Sequence, residues 1–80
     1  MMHGDDPFDV FLEGSRVKED QLLHELRSYH PRGTTRLWAG PSIDHLREVT
    51  EDRVAEIERE IARIAAAVEF VTVLRDAMRP

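Results

Sequence analysis

The sequence predicts a mainly α-helical hairpin: a short N-terminal helix, one long C-terminal amphipathic helix, and an extended arm ahead of both. Two observations carry that expectation. No glycine or proline interrupts the chain between Ser42 and Arg79, so nothing local stops a helix there. The apolar residues of that stretch also recur at helical spacing, with Ile43, Leu46, Val54, Ile57, Ile61, Ile64 and Val68 inside one sector of about 80° at 100° per residue.

The first fourteen residues lack this spacing. "DDPFDVFLEG" alternates acids with Phe8, Val10, Phe11 and Leu12 between Pro7 and Gly14, which reads as an extended arm over 1–14 with a possible short strand at 8–12. Ser15 then caps a helix over 16–29. Glu19 and Asp20 lie near its positive end and Arg27 near its negative end, the distribution that a helix dipole favours. Leu22, Leu26 and Tyr29 share one face, widened by Leu23. His30-Pro31 closes the element, because a residue before proline avoids helical backbone angles.

Residues 30–41 form a connecting loop in which 34–38 reads as a second possible strand, ended by Gly40-Pro41. Ser42 is positioned to cap a helix over 42–79. Such a helix would be about 57 Å long, whereas a compact chain of this size is only about 30 Å across. The first helix, about 21 Å long, cannot cover it. Either the long helix breaks near Thr50, where "TED" resembles a fresh cap, and a three-helix bundle results, or it stays whole and pairs with a partner. The unbroken angular register across Thr50 favours the whole helix.

Size points the same way. Eighty residues make one small domain, of a size that commonly needs a disulfide, a metal or a partner subunit for support. The chain has no cysteine, so disulfides and thiolate zinc sites are excluded. From Ile61 to Met78 only Arg63, Glu69, Thr72, Arg75 and Asp76 are polar. Ala62, Ala66, Phe70, Val73 and Ala77 fall on a second sector roughly opposite the first. A helix apolar on two faces expects cover on two sides. The candidate partner interface is therefore Ile61, Ile64, Val68, Phe70, Val71, Val73, Leu74 and Met78.

A second candidate lies in "RSYHPRGTTRLWAG", which holds no acid in a chain of formal charge −5. Arg27, Arg32 and Arg36 with Tyr29 and Trp38 are the residue types that contact phosphates and stack on bases. Guanidiniums pair equally with carboxylates, and sixteen acidic residues are present. The expectation is a structural connector in which Trp38 plugs the gap between the helices, with some capacity for recognition.

Enzyme signals are absent: the sequence holds no G-x-G-x-x-G, Walker loop, H-E-x-x-H or G-x-S-x-G. Histidines 3, 24, 30 and 45 do not repeat at metal-ligand spacing. The start "MMH" could wrap Cu(II) or Ni(II) through a free amine, adventitiously rather than functionally. No secretory signal or bilayer-length apolar run is legible. The functional expectation is a non-enzymatic, cytoplasmic interaction protein without cofactors or a membrane role, oligomerising or docking on a larger protein. One alternative is an antitoxin-like dimeric regulator contacting DNA or an acidic partner through residues 27–38, although net negative charge disfavours nucleic acid. Another is an acidic inhibitor that imitates nucleic acid.

Overall fold

The computed structural model describes residues 6–79 as a two-helix hairpin capped by a small β-ribbon. The element order is α1 (Pro7–Ser28), β1 (Trp38–Ala39), a single 3-10 turn (Ile43–His45), β2 (Arg47–Glu48) and α2 (Thr50–Met78). The molecule measures 62 × 25 × 25 Å, with a radius of gyration of 17.8 Å. A compact chain of this length would have a radius near 12 Å, so the hairpin is an elongated rod.

Where the sequence suggests an extended arm over 1–14 and a strand at 8–12, the described part of that arm is helical. Residues 1–5, with the "MMH" start, lie outside the described residues. The Asp6 side chain accepts the Phe8 N–H at 2.9 Å, and Pro7 occupies the first helical position. Proline is well placed there, since its missing N–H would have no helical partner and its φ is already set. The helix expected at 16–29 thus begins nine residues earlier, at Pro7, and Ser15 is a half-buried interior residue, not a cap. Gly14 costs roughly 1 kcal/mol relative to alanine. Glu13–Arg16 at 2.6 Å and Arg16–Asp20 at 3.7 Å bracket it on the exposed surface. What carries the helix through is packing. Phe8, Leu12, Ser15, Glu19, Leu22, Leu26 and Tyr29 are the half-buried or buried residues of one continuous face, alternating by four and three along the chain as a helix laid on another helix requires.

The expected helix over 42–79 is corrected in the same way. Helix α2 starts at Thr50, and the residues before it form no third bundle helix. Ser42 bonds the His45 ring at 2.8 Å through its side chain, and the 3-10 turn leaves Ile43 83 % exposed. Arg47 and Glu48 pair antiparallel with Ala39 and Trp38. The strand expected at 34–38 is accordingly shorter and shifted, with Thr35 making only an isolated bridge to Tyr29. Angular register continues through Thr50, but register alone does not make a helix. An amphipathic turn at 43–46 would have had no neighbour to cover it, since α1 has already ended, and unsupported helix is marginal in water.

Thr50 is the joint between ribbon and rod. It is 2 % exposed. Its hydroxyl accepts the Leu37 N–H at 2.8 Å and donates to the Glu48 carboxylate at 3.0 Å, while the Leu37 carbonyl accepts the Val49 N–H at 2.8 Å. Thr50→Val keeps the shape and strands the Leu37 amide. We expect a loss of about 1–3 kcal/mol, the usual cost of an orphaned buried donor. Hydrogen exchange should show the Leu37 amide losing protection while Leu22 and Ile57 keep theirs. Equal protection of Leu37 in both proteins would contradict the assignment.

The core sits at the ribbon end. Leu22, Leu26, Tyr29 and Ile57 are buried, with Leu37, Val54, Ile61 and Ile64 packed around them. Leu37 fills the place expected of Trp38, which stands 56 % exposed on the ribbon. Adjacent residues on extended backbone point to opposite sides, and the aliphatic one of this pair turns inward. Gly33 is fixed by close approach, since a Cβ there would strike the Ser28 carbonyl.

Candidate interaction surface

Helix α2 presents two separate faces. The face toward α1 carries Thr50, Val54, Ile57, Ile61, Ile64, Val68, Val71 and Arg75, all buried or half-buried. Ile61, Ile64, Val68 and Val71, four of the eight candidate interface residues, therefore belong to the hairpin's own seam. The other four stay in solvent: Phe70 is 68 % exposed, Val73 63 %, Leu74 39 % and Met78 65 %. At 100° per residue, Ala66, Phe70, Val73 and Ala77 lie on the side of α2 directly away from α1, with Leu74 and Met78 on its flank. Phe70 and Val73 with the alanines between them form an exposed apolar stripe, and Leu74 and Met78 extend it round one flank.

The far end of the rod exposes further apolar side chains. Val10 and Phe11 of α1 are 52 % and 41 % exposed. An open groove of about 760 Å³ runs past Val10, Leu12, Gly14, Arg16 and Arg75, and a shallower one of about 260 Å³ lies among Phe11, Ser15, Ile64 and Ala67. Small side chains at Gly14, Ser15 and Ala67 leave these hollows because nothing larger fills the space between the helices. Across the first groove an Arg75 guanidinium nitrogen meets Asp9 at 3.5 Å, while its Nε is buried without a hydrogen-bond partner.

The basic aromatic loop is dispersed by the fold. Tyr29 is buried and donates its hydroxyl proton to Glu25. Both carboxylate oxygens of Glu48 accept from Arg36, each at 3.1 Å. Arg27, Arg32 and Trp38 remain at the surface. A polar recess of about 530 Å³ beside the ribbon holds His30, Arg36, Arg47, Glu48, Thr50 and Asp52. Two of its charges are matched across it, Arg36 by Glu48 and Arg47 by Asp52 at 3.5 Å, while Glu51 in the same lining has no ion pair among the described residues. The five candidate loop residues are thus divided between core, ion pair and surface.

One cluster escaped the sequence reading altogether. Glu25 of α1 accepts from Arg53 of α2 twice, at 2.8 and 2.9 Å, as well as from Tyr29, and Arg53 also reaches Glu56 at 2.6 Å. Bonding to Arg53 first and to Tyr29 second lowers the Glu25 pKa from 4.5 to about 2. The same carboxylate raises the Tyr29 pKa, since a phenol that donates to an anion holds its proton. The spacing of Glu25 and Tyr29, four apart on one helix, is the one local signal that could have found it. The cross-helix partner depends on the pairing of α1 with α2.

Among the described residues no group of three or more histidine, aspartate or glutamate side chains is placed to hold a metal ion. No helix among them is long and apolar enough to cross a membrane. Comparison of the chain with protein-family models, with curated proteins and with solved structures gives no match.

Proposed function

We propose that this protein is a non-enzymatic, cytoplasmic interaction module, a small accessory, assembly or inhibitory protein that docks through the outer face of the C-terminal half of α2. The observation that carries the reading is the exposure of Phe70, Val73 and Met78, each above 60 %, on a helix whose opposite side is already committed to α1. Each such side chain contributes roughly 1.5–3 kcal/mol when fully buried, so the hairpin alone forgoes a large share of the stabilisation its sequence can supply. The remainder of the molecule leaves the face free: α1 packs on the opposite side of α2 and the ribbon precedes its N-terminal end.

Folding and docking should separate in Phe70→Asp. Phe70 lies outside the core cluster, so the folded hairpin and its helix content are expected to hold. In the wild-type protein the face is either covered, read as a solution mass above one chain, or bare, read as fluorescence of a hydrophobic dye. The substitution should lower whichever signal is present. A variant whose mass and dye fluorescence both match the wild type would overturn the proposal, as would a variant that no longer folds.

A further inference from the structure

We infer that the occupant of the outer α2 face is a second copy of this chain, its α2 lying antiparallel to the first with Phe70 of each copy seated over Ala66 of the other. The inference rests on the docking role proposed above and names the partner.

The first argument is shape. Along the outer side of α2 the order is Arg59, Arg63, Ala66, Phe70, Val73 and Ala77, spaced alternately by four and three, the period that keeps one seam facing a second helix. An antiparallel neighbour placed with Phe70 level with Ala66 also sets Val73 level with Arg63 and Ala77 level with Arg59. Large residues then meet small ones, or the aliphatic stems of arginines, which allows close packing. A parallel pair would instead set Phe70 against Phe70 and Ala66 against Ala66, leaving the seam alternately crowded and hollow.

The second argument is charge. Arg59 and Arg63 carry no ion pair among the described residues, whereas Arg53 and Arg75 on the same helix do. Antiparallel docking brings Arg59 beside the last turn of the other α2 and Arg63 about one turn before it, near Asp76, which is exposed (60 %) although 3.8 Å from its own Arg75, and near the free carbonyls that form the negative end of the helix dipole. Parallel docking would set Arg59 on Arg59 and Arg63 on Arg63.

The third argument is area. Judged from the exposures of Phe70, Val73, Leu74 and Met78 with the alanines between them, the face offers at most on the order of 600 Å² per copy, so complete coverage in a pair would bury about 1,200 Å², the lower edge of stable interfaces. A modest, self-complementary surface of this size suits a dimer in exchange with monomer.

The chain has no cysteine, so a single Glu58→Cys substitution gives one clean labelling site. Glu58 is exposed and lies to the side of the seam. Light scattering across a tenfold concentration range should show a dimer. Spin labels on Cys in that dimer should then lie about 35 Å apart, because antiparallel docking sets Glu58 level with Met78, about 30 Å along the axis. A separation near 20 Å or less would mean parallel helices and overturn the inference, as would one beyond about 45 Å, which would mean association elsewhere on the molecule. A monomer throughout would overturn the second copy as occupant. In that case, strong dye fluorescence lost in Phe70→Asp would leave the docking role standing for another partner, and its absence would remove both.

Discussion

Replacing Ile57 with alanine is expected to lower the unfolding free energy by about 3 kcal/mol and the thermal midpoint by about 15 °C. Ile57 is 0 % exposed and is the one large side chain fully enclosed among the described residues. It sits where α2 crosses Leu22, Leu26 and Tyr29. Truncating a fully enclosed isoleucine to alanine removes buried methyl groups and leaves a cavity, at a cost of about 2–5 kcal/mol. Total stability for a chain of this size is roughly 4–12 kcal/mol, so the change removes a quarter of it or more. Ile57→Val, with one methylene less, should cost only about 1 kcal/mol. Urea unfolding of the two variants supplies the comparison. A loss below about 1 kcal/mol for the alanine variant would mean that the core is not concentrated at the ribbon end.

The concentration of the core there also explains which parts of the fold were legible. The second helix and its inner face were readable because Val54, Ile57, Ile61, Ile64, Val68 and Val71 repeat without interruption, and period alone determines a face. The beginning of α1 was not. Gly14 and Ser15 resemble a helix boundary, and the covered seam at that point consists of Ser15 and Glu19, polar residues that a hydrophobic pattern skips. Only the pairing with α2 shows that Phe8 and Leu12 continue the face of Leu22 and Leu26. The false start of α2 has the converse cause. Ile43 and Leu46 fit its angular register, but α1 ends before it could cover them, and the chain there takes a 3-10 turn followed by pairing of Arg47 and Glu48 with Ala39 and Trp38. Of the interaction surface, the second apolar sector of α2 was visible in the sequence. Which of the two sectors α1 takes was not, because the faces of Ile61 and Phe70 are both apolar until α1 covers one of them.

Acid should loosen this hairpin between pH about 4.5 and about 2, and Glu25 should account for much of the change. Arg53 and Tyr29 hold its pKa at about 2 in the fold, against 4.5 without those partners. A carboxylate whose pKa is depressed by folding stabilises the protein above its unfolded value and loses that contribution as pH falls through its folded value. The full shift would correspond to roughly 3 kcal/mol. Glu25 and Arg53 are each about a third exposed, at 33 % and 34 %, so solvent screening reduces the expected contribution to about 1–2 kcal/mol. Tyr29 acts in the opposite sense at the alkaline end. Its pKa is raised by the bond it donates to Glu25, so that contribution is present below the ordinary phenol range and fades as pH rises through the folded value. Glu25→Gln removes the anion while keeping an acceptor for Tyr29. At neutral pH the variant should be about 1–2 kcal/mol less stable than the wild type, and the gap should close as pH approaches 2. It leaves Arg53 its bond to Glu56, which limits the damage to the cross-helix tie. Unfolding free energies of both proteins measured from pH 7 to pH 2 test this directly. Curves that stay parallel across the acid range would mean that the Glu25–Arg53 pair exists without stabilising the junction of α1 and α2, and that the apolar cluster beside it holds the hairpin closed alone.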